Sequence, residues 1–119
     1  MSRFLIADDA SFMRLMICQI LARKGHTNIV EAQNGRQAVE QFKIFKPDLT
    51  LMDITMPELD GLAALKEILV IDPMAKVIMC SAIARESMVL EALKRGAVDF
   101  IAKPFRPDEL LETVNKYLV

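Results

Sequence analysis

Several features that mark other protein classes are absent from this 119-residue sequence. Its two cysteines, Cys18 and Cys80, form neither a CxxC pair nor a zinc-ligand spacing, so we expect two buried, reduced thiols. No apolar run has the length of a membrane span or the pattern of a secretion signal. Lys and Arg number 15 against 16 Asp and Glu, which excludes a strongly basic surface for nucleic acid or membranes. We therefore expect a cytoplasmic protein.

Glycine-rich phosphate-binding motifs are also missing, since neither GxGxxG nor a Walker A loop occurs. A flavin-binding domain of the flavodoxin type needs a Ser/Thr/Gly-rich loop after its first strand, where this chain has Asp8 and Asp9. Apolar residues make up 53% of the chain, which indicates a well-filled core. We expect residues 1–119 to form a single domain that is a monomer.

Five short apolar runs alternate with longer helical patterns. The runs predict strands at residues 3–7, 28–31, 48–52, 76–80 and 99–102. The helical patterns predict helices at 11–24, around 38–45, at 62–71, at 87–95 and from about 107 onward. Strict alternation of strand and helix predicts an α/β fold with a parallel sheet and helices on both faces.

Local signals predict where the helices begin and end. Ser11 is the expected N-cap of the first helix, and Gly25 and Gly96 stand where the first and fourth helices should stop. Asn34 and Gly35 together predict a turn.

Charged or hydroxyl-bearing residues follow four of the apolar runs, namely Asp8, Asp9, Asp53, Ser81 and Lys103. Because the carboxyl ends of parallel strands meet at one edge of the sheet, we expect these side chains to share a pocket. Taken singly, the acid pair could cap a helix and the lysine could extend to solvent. Together they leave two negative charges uncompensated, and oxygen ligands of this kind suit Mg²⁺.

These motifs resemble the receiver domain of two-component response regulators over essentially the whole chain. The resemblance rests on Asp8-Asp9, Asp53, Ser81-Ala82, Lys103-Pro104 and the segment Met56-Pro57 to Asp60-Gly61. The run of residues 8–14 and the lack of an appended domain resemble the single-domain chemotaxis regulators. The implied fold is flavodoxin-like and doubly wound, with the strand order 2-1-3-4-5 that is known for chemotaxis regulators.

The resemblance implies a role for each site residue. Asp53 would be the phosphoryl acceptor, attacking the phosphorus of a kinase phosphohistidine. The implied Mg²⁺ ligands are Asp9, Asp53, the backbone carbonyl of Thr55 and, through a water molecule, Asp8.

The implied contacts to the phosphoryl group come from side chains and from backbone. They are the Lys103 ammonium, the Ser81 hydroxyl and the backbone N–H groups of Ile54, Thr55 and Ala82. The family resemblance further implies a cis Lys103–Pro104 bond. It also implies a switch in which Ser81 turns toward the phosphoryl group and the ring of Phe100 rotates inward, which reshapes the face of helix four, strand five and helix five.

The implied function is a phosphorylation-controlled signalling switch that catalyses only its own phosphorylation and dephosphorylation. The implied partners are a chemotaxis-type sensor histidine kinase, a flagellar motor switch protein and a dedicated phosphatase. Phe12 and Met13, beside the acid pair, could be core residues or a docking patch for such a kinase or phosphatase helix.

Three other interpretations stay open at this point. The chain could be the receiver part of a longer DNA-binding regulator, or a phosphate sink without an effector. The third is a Mg²⁺-dependent phosphatase with an aspartyl nucleophile, of the haloacid dehalogenase-like type. It is disfavoured because those enzymes usually carry Asp-x-Asp at the end of the first strand, whereas the two acids of this chain are adjacent.

Overall fold

The computed structural model describes residues 2–118. Five strands alternate with five helices in it. The strands are β1 (Phe4–Ala7), β2 (Ile29–Ala32), β3 (Leu49–Asp53), β4 (Val77–Ser81) and β5 (Asp99–Ala102). The helices are α1 (Ser11–Ala22), α2 (Gly35–Phe45), α3 (Gly61–Ile71), α4 (Glu86–Lys94) and α5 (Pro107–Asn115).

The strands form one parallel sheet in the order β2-β1-β3-β4-β5. Successive residues of β1 point to opposite faces, so Leu5 joins one apolar cluster and Phe4 and Ile6 join the other. The first cluster includes buried residues of α2, α3 and α4, and the second includes those of α1 and α5. The predicted doubly wound α/β fold and its strand order are therefore confirmed.

Strand ends differ from the predictions by one residue at functionally important places. Asp53 and Ser81 are the last residues of β3 and β4 rather than the first residues after them. Both still take part in the parallel ladder, Asp53 opposite Cys80 and Ser81 opposite Ala102. Their side chains are consequently held by the rigid sheet and not by a loop.

Two of the predicted helix boundaries were wrong. Ala10, without a side-chain cap, precedes α1, and Ser11 is its first helical residue. The Asn34-Gly35 pair starts α2 instead of forming a separate turn, since the Asn34 side chain accepts from the N–H of Gln37 at 2.8 Å. A Cβ on Gly35 would come within 1.8 Å of the Leu59 carbonyl oxygen, so close packing requires glycine there.

The predicted glycine stops were correct. Gly25 has φ +79°, and the N–H of His26 donates to the Leu21 carbonyl at 3.1 Å. Gly96 has φ +105° and follows α4 with the same pattern, in which Ala97 donates to Ala92 at 3.1 Å. These are six-to-one bonds of the kind that end helices at a left-handed glycine.

The two cysteines differ in burial. Cys80 is buried as expected, whereas Cys18 is only half-buried. Within residues 2–118, no helix is both long enough and apolar enough to cross a membrane.

Candidate functional site

Three carboxylates meet at the carboxyl edge of the sheet. Asp8 and Asp9 follow β1, Asp53 ends the neighbouring β3, and one carboxylate oxygen of each lies within 4.8 Å of the others. Asp8 is 2% exposed and Asp53 is 9% exposed, while Asp9 faces solvent. The three acids therefore form an oxygen-rich cluster that is open on one side, as expected from the strand order.

Lys103 supplies the positive charge within this cluster. Its ammonium donates to Oδ2 of Asp8 and lies 3.5 Å from Oδ2 of Asp53. Burial lowers the pKa of Lys103, but the hydrogen bond to Asp8 and the charge of Asp53 outweigh burial, so the net shift is upward. The lysine thus stays charged and bridges the two carboxylates.

The backbone on both sides of Lys103 is fixed. Its N–H donates to the Ser81 carbonyl at 2.9 Å, and the Lys103–Pro104 peptide bond is cis, as the family resemblance implied.

Burial raises the pKa of Asp53 above its ordinary value. The Lys103 ammonium opposes this shift, the Asp8 charge adds to it, and a hydrogen bond from the backbone N–H of Thr55 again opposes it. Asp9 contributes a smaller upward shift. The ionised carboxylate of Asp53 is therefore held in an environment that disfavours its charge, which a bound cation would relieve.

The loop between β3 and α3 packs tightly against Asp53. The N–H of Gly61 donates to the Ile54 carbonyl at 2.7 Å, and a Cβ at Gly61 would lie 2.0 Å from the Asp53 carbonyl oxygen. Only glycine fits so close to this backbone. In the same loop, Glu58 adopts a positive φ of 68°, and Leu59 N–H donates to the Pro57 carbonyl at 2.7 Å.

Arg14 supports the acid pair from α1, a role that the sequence did not indicate. Its guanidinium donates to the Asp8 carbonyl at 2.7 Å and to the Glu31 carboxylate at 2.9 Å. An arginine six residues after an aspartate is not a recognised sequence motif. Arg14 can contact both Asp8 and Glu31 only because β2 lies beside β1.

Ser81 lies at the end of β4 with its hydroxyl already engaged. The Oγ atom accepts from the N–H of Ile83 at 3.0 Å, and the residue is buried. Ala82 beside it is exposed, and Phe100 on β5 is half-buried against the cluster that contains α4.

The Ile54 N–H donates to the Cys80 carbonyl at 3.3 Å, so the sheet already uses this group. That bond counts against the expectation that Ile54 contacts a phosphoryl oxygen.

The apolar residues that follow the acid pair on α1 differ in their exposure. The ring of Phe12 is 72% exposed and Leu15 on the same helix is 57% exposed, while Met13 packs into the cluster of α1 and α5. Of the pair singled out in the sequence, Phe12 therefore fits a docking patch and Met13 fits the core. His26, which follows α1, is half-buried, with its ring centroid 5.0 Å from that of Phe4.

Comparison with known proteins agrees with this geometry. Residues 4–115 match the response regulator receiver domain family. Chemotaxis protein CheY of Bacillus subtilis is 57% identical over 116 residues, which cover 98% of this chain and 97% of that protein. Chemotaxis protein CheY of Thermotoga maritima is 54% identical over 114 residues, which cover 96% of this chain and 95% of that protein.

A solved structure is similar over nearly the same range. It is the CheX–CheY–BeF3–Mg²⁺ complex of Borrelia burgdorferi, which aligns with a TM-score of 0.94 and 36% identity. The alignment covers 99% of this chain and 90% of that one.

Proposed function

The chain belongs to the response regulator receiver domain family, in its chemotaxis branch, and we propose that Asp53 is its phosphoryl acceptor. The observation that carries the proposal is the position of the Asp53 carboxylate at the carboxyl edge of the sheet, 3.5 Å from the Lys103 ammonium and within the three-acid cluster. One oxygen of Asp53 attacks the phosphorus of a phosphohistidine, the phosphorus–nitrogen bond breaks, and the imidazole leaves with the bonding pair. The product is an aspartyl phosphate.

The acid cluster fits a hard divalent cation. Three carboxylates against one ammonium leave two negative charges uncompensated, and all the side-chain ligands are oxygens. Asp9 and Asp53 would bind Mg²⁺ directly, with the Thr55 carbonyl as a further ligand and Asp8 acting through water. When bound, Mg²⁺ would neutralise charge on the transferring phosphoryl group.

The protein's own groups position the phosphoryl group. Lys103 would donate to one phosphoryl oxygen as a point charge. Ala82 is exposed, and its backbone N–H would donate to another phosphoryl oxygen. The hydrogen bond from the Thr55 N–H that lowers the pKa of Asp53 supports a contact between this N–H and a phosphoryl group on that carboxylate. The Ser81 Oγ accepts from the Ile83 N–H at 3.0 Å, which leaves its O–H free to donate. Turning the side chain toward the phosphoryl group would exchange the bond with Ile83 for one to a phosphoryl oxygen.

The same rearrangement couples the site to an output surface. Ser81 on β4 pairs with Ala102 on β5, two residues from Phe100. Turning Ser81 toward the phosphoryl group would free space for the Phe100 ring, and the face of α4, β5 and α5 would change shape. We propose that this face binds a flagellar motor switch component, in keeping with the chemotaxis relatives.

Two further partners are part of the proposal. A chemotaxis-type histidine kinase would supply the phosphoryl group, and Phe12, being exposed beside the acid pair, would contact it. The similar Borrelia structure is a complex with CheX. A dedicated phosphatase that reaches the same carboxyl edge is therefore a reasonable partner for this chain.

The test is phosphorylation without a kinase. With Mg²⁺ and acetyl phosphate, the wild type should gain one phosphoryl group, seen by intact-mass spectrometry and lost on treatment with hydroxylamine. Asp53→Asn should gain none, because an amide is a poor nucleophile toward phosphorus. Asp48→Asn, at the opposite edge of the sheet, is the matched control and should be labelled like the wild type. Full labelling of Asp53→Asn would overturn the assignment.

A further inference from the structure

The outer surface of α2, α3 and α4 has two adjoining apolar grooves that the phosphorylation site does not use. The first, of about 460 Å³ between α2 and α3, has an apolar floor of Val39, Ala63 and Ile71. The second, of about 400 Å³, is lined by Leu69 and Val70. Val70 is 77% exposed and forms the ridge between the two grooves. A large aliphatic side chain so exposed between two grooves provides an apolar contact point.

Positive charge surrounds these grooves in a chain whose net charge is −1. Lys43 borders the first groove, Arg95 borders the second, and Lys66 borders both. Within residues 2–118, neither Lys43 nor Lys66 has an acidic oxygen within 4.0 Å.

Among the described residues that line the two grooves, the one acid is Glu67, and it is already paired. The Glu67 carboxylate on the first groove accepts from the Arg36 guanidinium at 2.9 and 3.3 Å. Glu91 accepts from Arg95 at 2.7 Å. The two lysines therefore leave a local positive excess over the apolar floor.

The grooves are preformed by contacts between the helices. The Arg36–Glu67 pair joins α2 to α3. On the other side, a Cβ at Gly96 would lie 2.6 Å from Cδ1 of Leu69, so the end of α4 packs directly on α3. Binding here would need little rearrangement, which lowers its entropic cost.

This surface is also separate from the phosphorylation site. Val70 and Ile71 lie in the last turn of α3. Because the crossover helices run antiparallel to the strands, that turn is near the amino edge of the sheet, away from Asp53.

We propose that the α2–α3–α4 surface, defined by Lys43, Lys66, Val70, Ile71 and Arg95, binds an acidic amphipathic helix of a partner protein. The apolar face of that helix lies over Val70 and fills the two grooves, and its acidic residues pair with the cations. Lys43 lies on α2, Lys66 on α3 and Arg95 directly after α4, so the cations follow this surface from one helix to the next. Acidic residues along the bound helix would meet them in turn.

A nucleic acid fits these observations less well. Phosphate groups would leave the exposed Val70 and the apolar floor without partners, and two unpaired lysines make a small electrostatic footprint. Charge and apolar exposure together favour a protein helix.

The probe is a synthetic helical peptide of about 18 residues with leucines on one face and glutamates flanking them. The full chain should bind it in fluorescence anisotropy, with affinity that falls as salt is raised. Val70→Gln and Lys66→Glu should each weaken binding about tenfold. Both positions are exposed, so neither change should alter folding, which thermal melting checks.

Matched controls separate this surface from general stickiness. Lys24→Glu reverses an exposed charge after α1, and Phe12→Ser removes an exposed ring on α1, so both should bind the peptide like the wild type. A peptide with lysine in place of each glutamate should not bind. Equal binding of both peptides, unchanged affinity of Val70→Gln and Lys66→Glu, or binding of anionic vesicles or duplex DNA but not the peptide would each overturn the proposal. None of these results affects the role of Asp53.

Discussion

At the amino edge of the sheet, Arg3 has a partner for most of its polar groups, whereas at the carboxyl edge three acids share one lysine. The Arg3 N–H donates to Asp48 at 2.7 Å, its guanidinium donates to the Lys46 carbonyl at 2.7 Å, and its Cζ lies 5.6 Å from the centre of the Phe45 ring. Within residues 2–118, the ammonium of Lys103 is the only cationic group within 4.0 Å of the Asp8, Asp9 or Asp53 carboxylates.

The same amino edge also anchors the last helix. Lys76 donates through Nζ to the Tyr117 carbonyl at 2.9 Å, and the Tyr117 hydroxyl contacts Asp99 at 2.8 Å. The amino edge therefore gives its charged groups hydrogen-bond partners within the chain, which stabilise the fold, although Nε of Arg3 is buried without one among the described residues. The carboxyl edge keeps an excess of negative charge, which destabilises the free protein and is available to a cation. This is the edge at which open parallel sheets bind their ligands.

The largest expected effect concerns the metal. Mg²⁺ should raise the melting temperature of the wild type by mass action, and Asp9→Asn should abolish this rise because the variant lacks a proposed direct ligand. Asp48→Asn should keep the full rise. Thermal melting across a Mg²⁺ titration measures all three proteins. A wild type that does not respond to Mg²⁺, or an Asp9→Asn protein that responds fully, would contradict the contrast between the edges.

The next effect concerns output. Phosphorylation, or beryllofluoride as its mimic, should tighten binding of a motor-switch peptide roughly 5- to 150-fold, the range of typical allosteric coupling. Ser81→Ala should shrink this gain while Asp53 remains phosphorylatable, because the proposed switch connects the phosphoryl group to Phe100 through the Ser81 hydroxyl.

Tyr117→Phe is the matched control for this measurement. It removes hydroxyl bonds to Val98 and Asp99 at the amino edge, so it should lower stability by about 1 kcal/mol but leave the affinity gain unchanged. Equal peptide affinity in both states of the wild type would place the output elsewhere.

A smaller effect should appear in stability against pH without Mg²⁺. Burial raises the pKa of Asp53, with Lys103 opposing and Asp8 adding to the shift. Between the ordinary value of 3.8 and the raised value, the folded chain binds more protons than the unfolded chain, so stability falls as pH rises through this window. Asp53→Asn removes that loss. The variant should therefore be more stable than the wild type at neutral pH, with the difference shrinking as the pH falls toward 4.

Denaturant unfolding in buffer with a chelator measures this difference, and Asp48→Asn provides the contrast. Losing the Arg3 contact should lower its stability by about 0.5–1 kcal/mol at neutral pH. Destabilisation of both variants at neutral pH would mean that the two edges do not differ in the way described.

The smallest effect concerns the phosphoryl donor. Phe12→Ser should slow transfer from a chemotaxis histidine kinase several-fold, since Phe12 is exposed and outside the acid cluster. The rate with acetyl phosphate should stay the same, because a small donor needs no docking surface. Rapid-quench measurement of phosphoryl loss from the phosphorylated kinase gives the first rate, and phosphorylation of the protein by acetyl phosphate gives the second. Slowing of both would assign Phe12 to the pocket itself.

Much of the carboxyl edge could be predicted because it depends on short-range signals. Apolar runs locate the strands, and parallel strands necessarily bring Asp8, Asp53 and Lys103 to one edge. The one-residue errors at Asp53 and Ser81 arise because a polar residue that ends a strand remains in the ladder, while the apolar pattern has already stopped.

What could not be predicted depends on contacts between distant segments. Position 35 requires glycine because the Leu59 carbonyl lies where a Cβ would be, and no local pattern records that contact. Arg14 reaches Asp8 and Glu31 only because β1 and β2 are neighbours. The partial exposure of Cys18 likewise depends on how α1 sits against its surroundings, which an apolar residue type does not reveal.

The central claim is that the excess of acid at the carboxyl edge makes Asp53 the phosphoryl acceptor. The most direct measurement locates the modified residue: the protein is phosphorylated with acetyl phosphate and Mg²⁺, the acyl phosphate is reduced with borohydride, and peptides are sequenced by mass spectrometry. Reduction should convert Asp53 alone to homoserine, and omission of Mg²⁺ should greatly reduce the yield. Homoserine at Asp8, at Asp9 or at an amino-edge acid such as Asp48, or a yield that does not depend on Mg²⁺, would contradict the account.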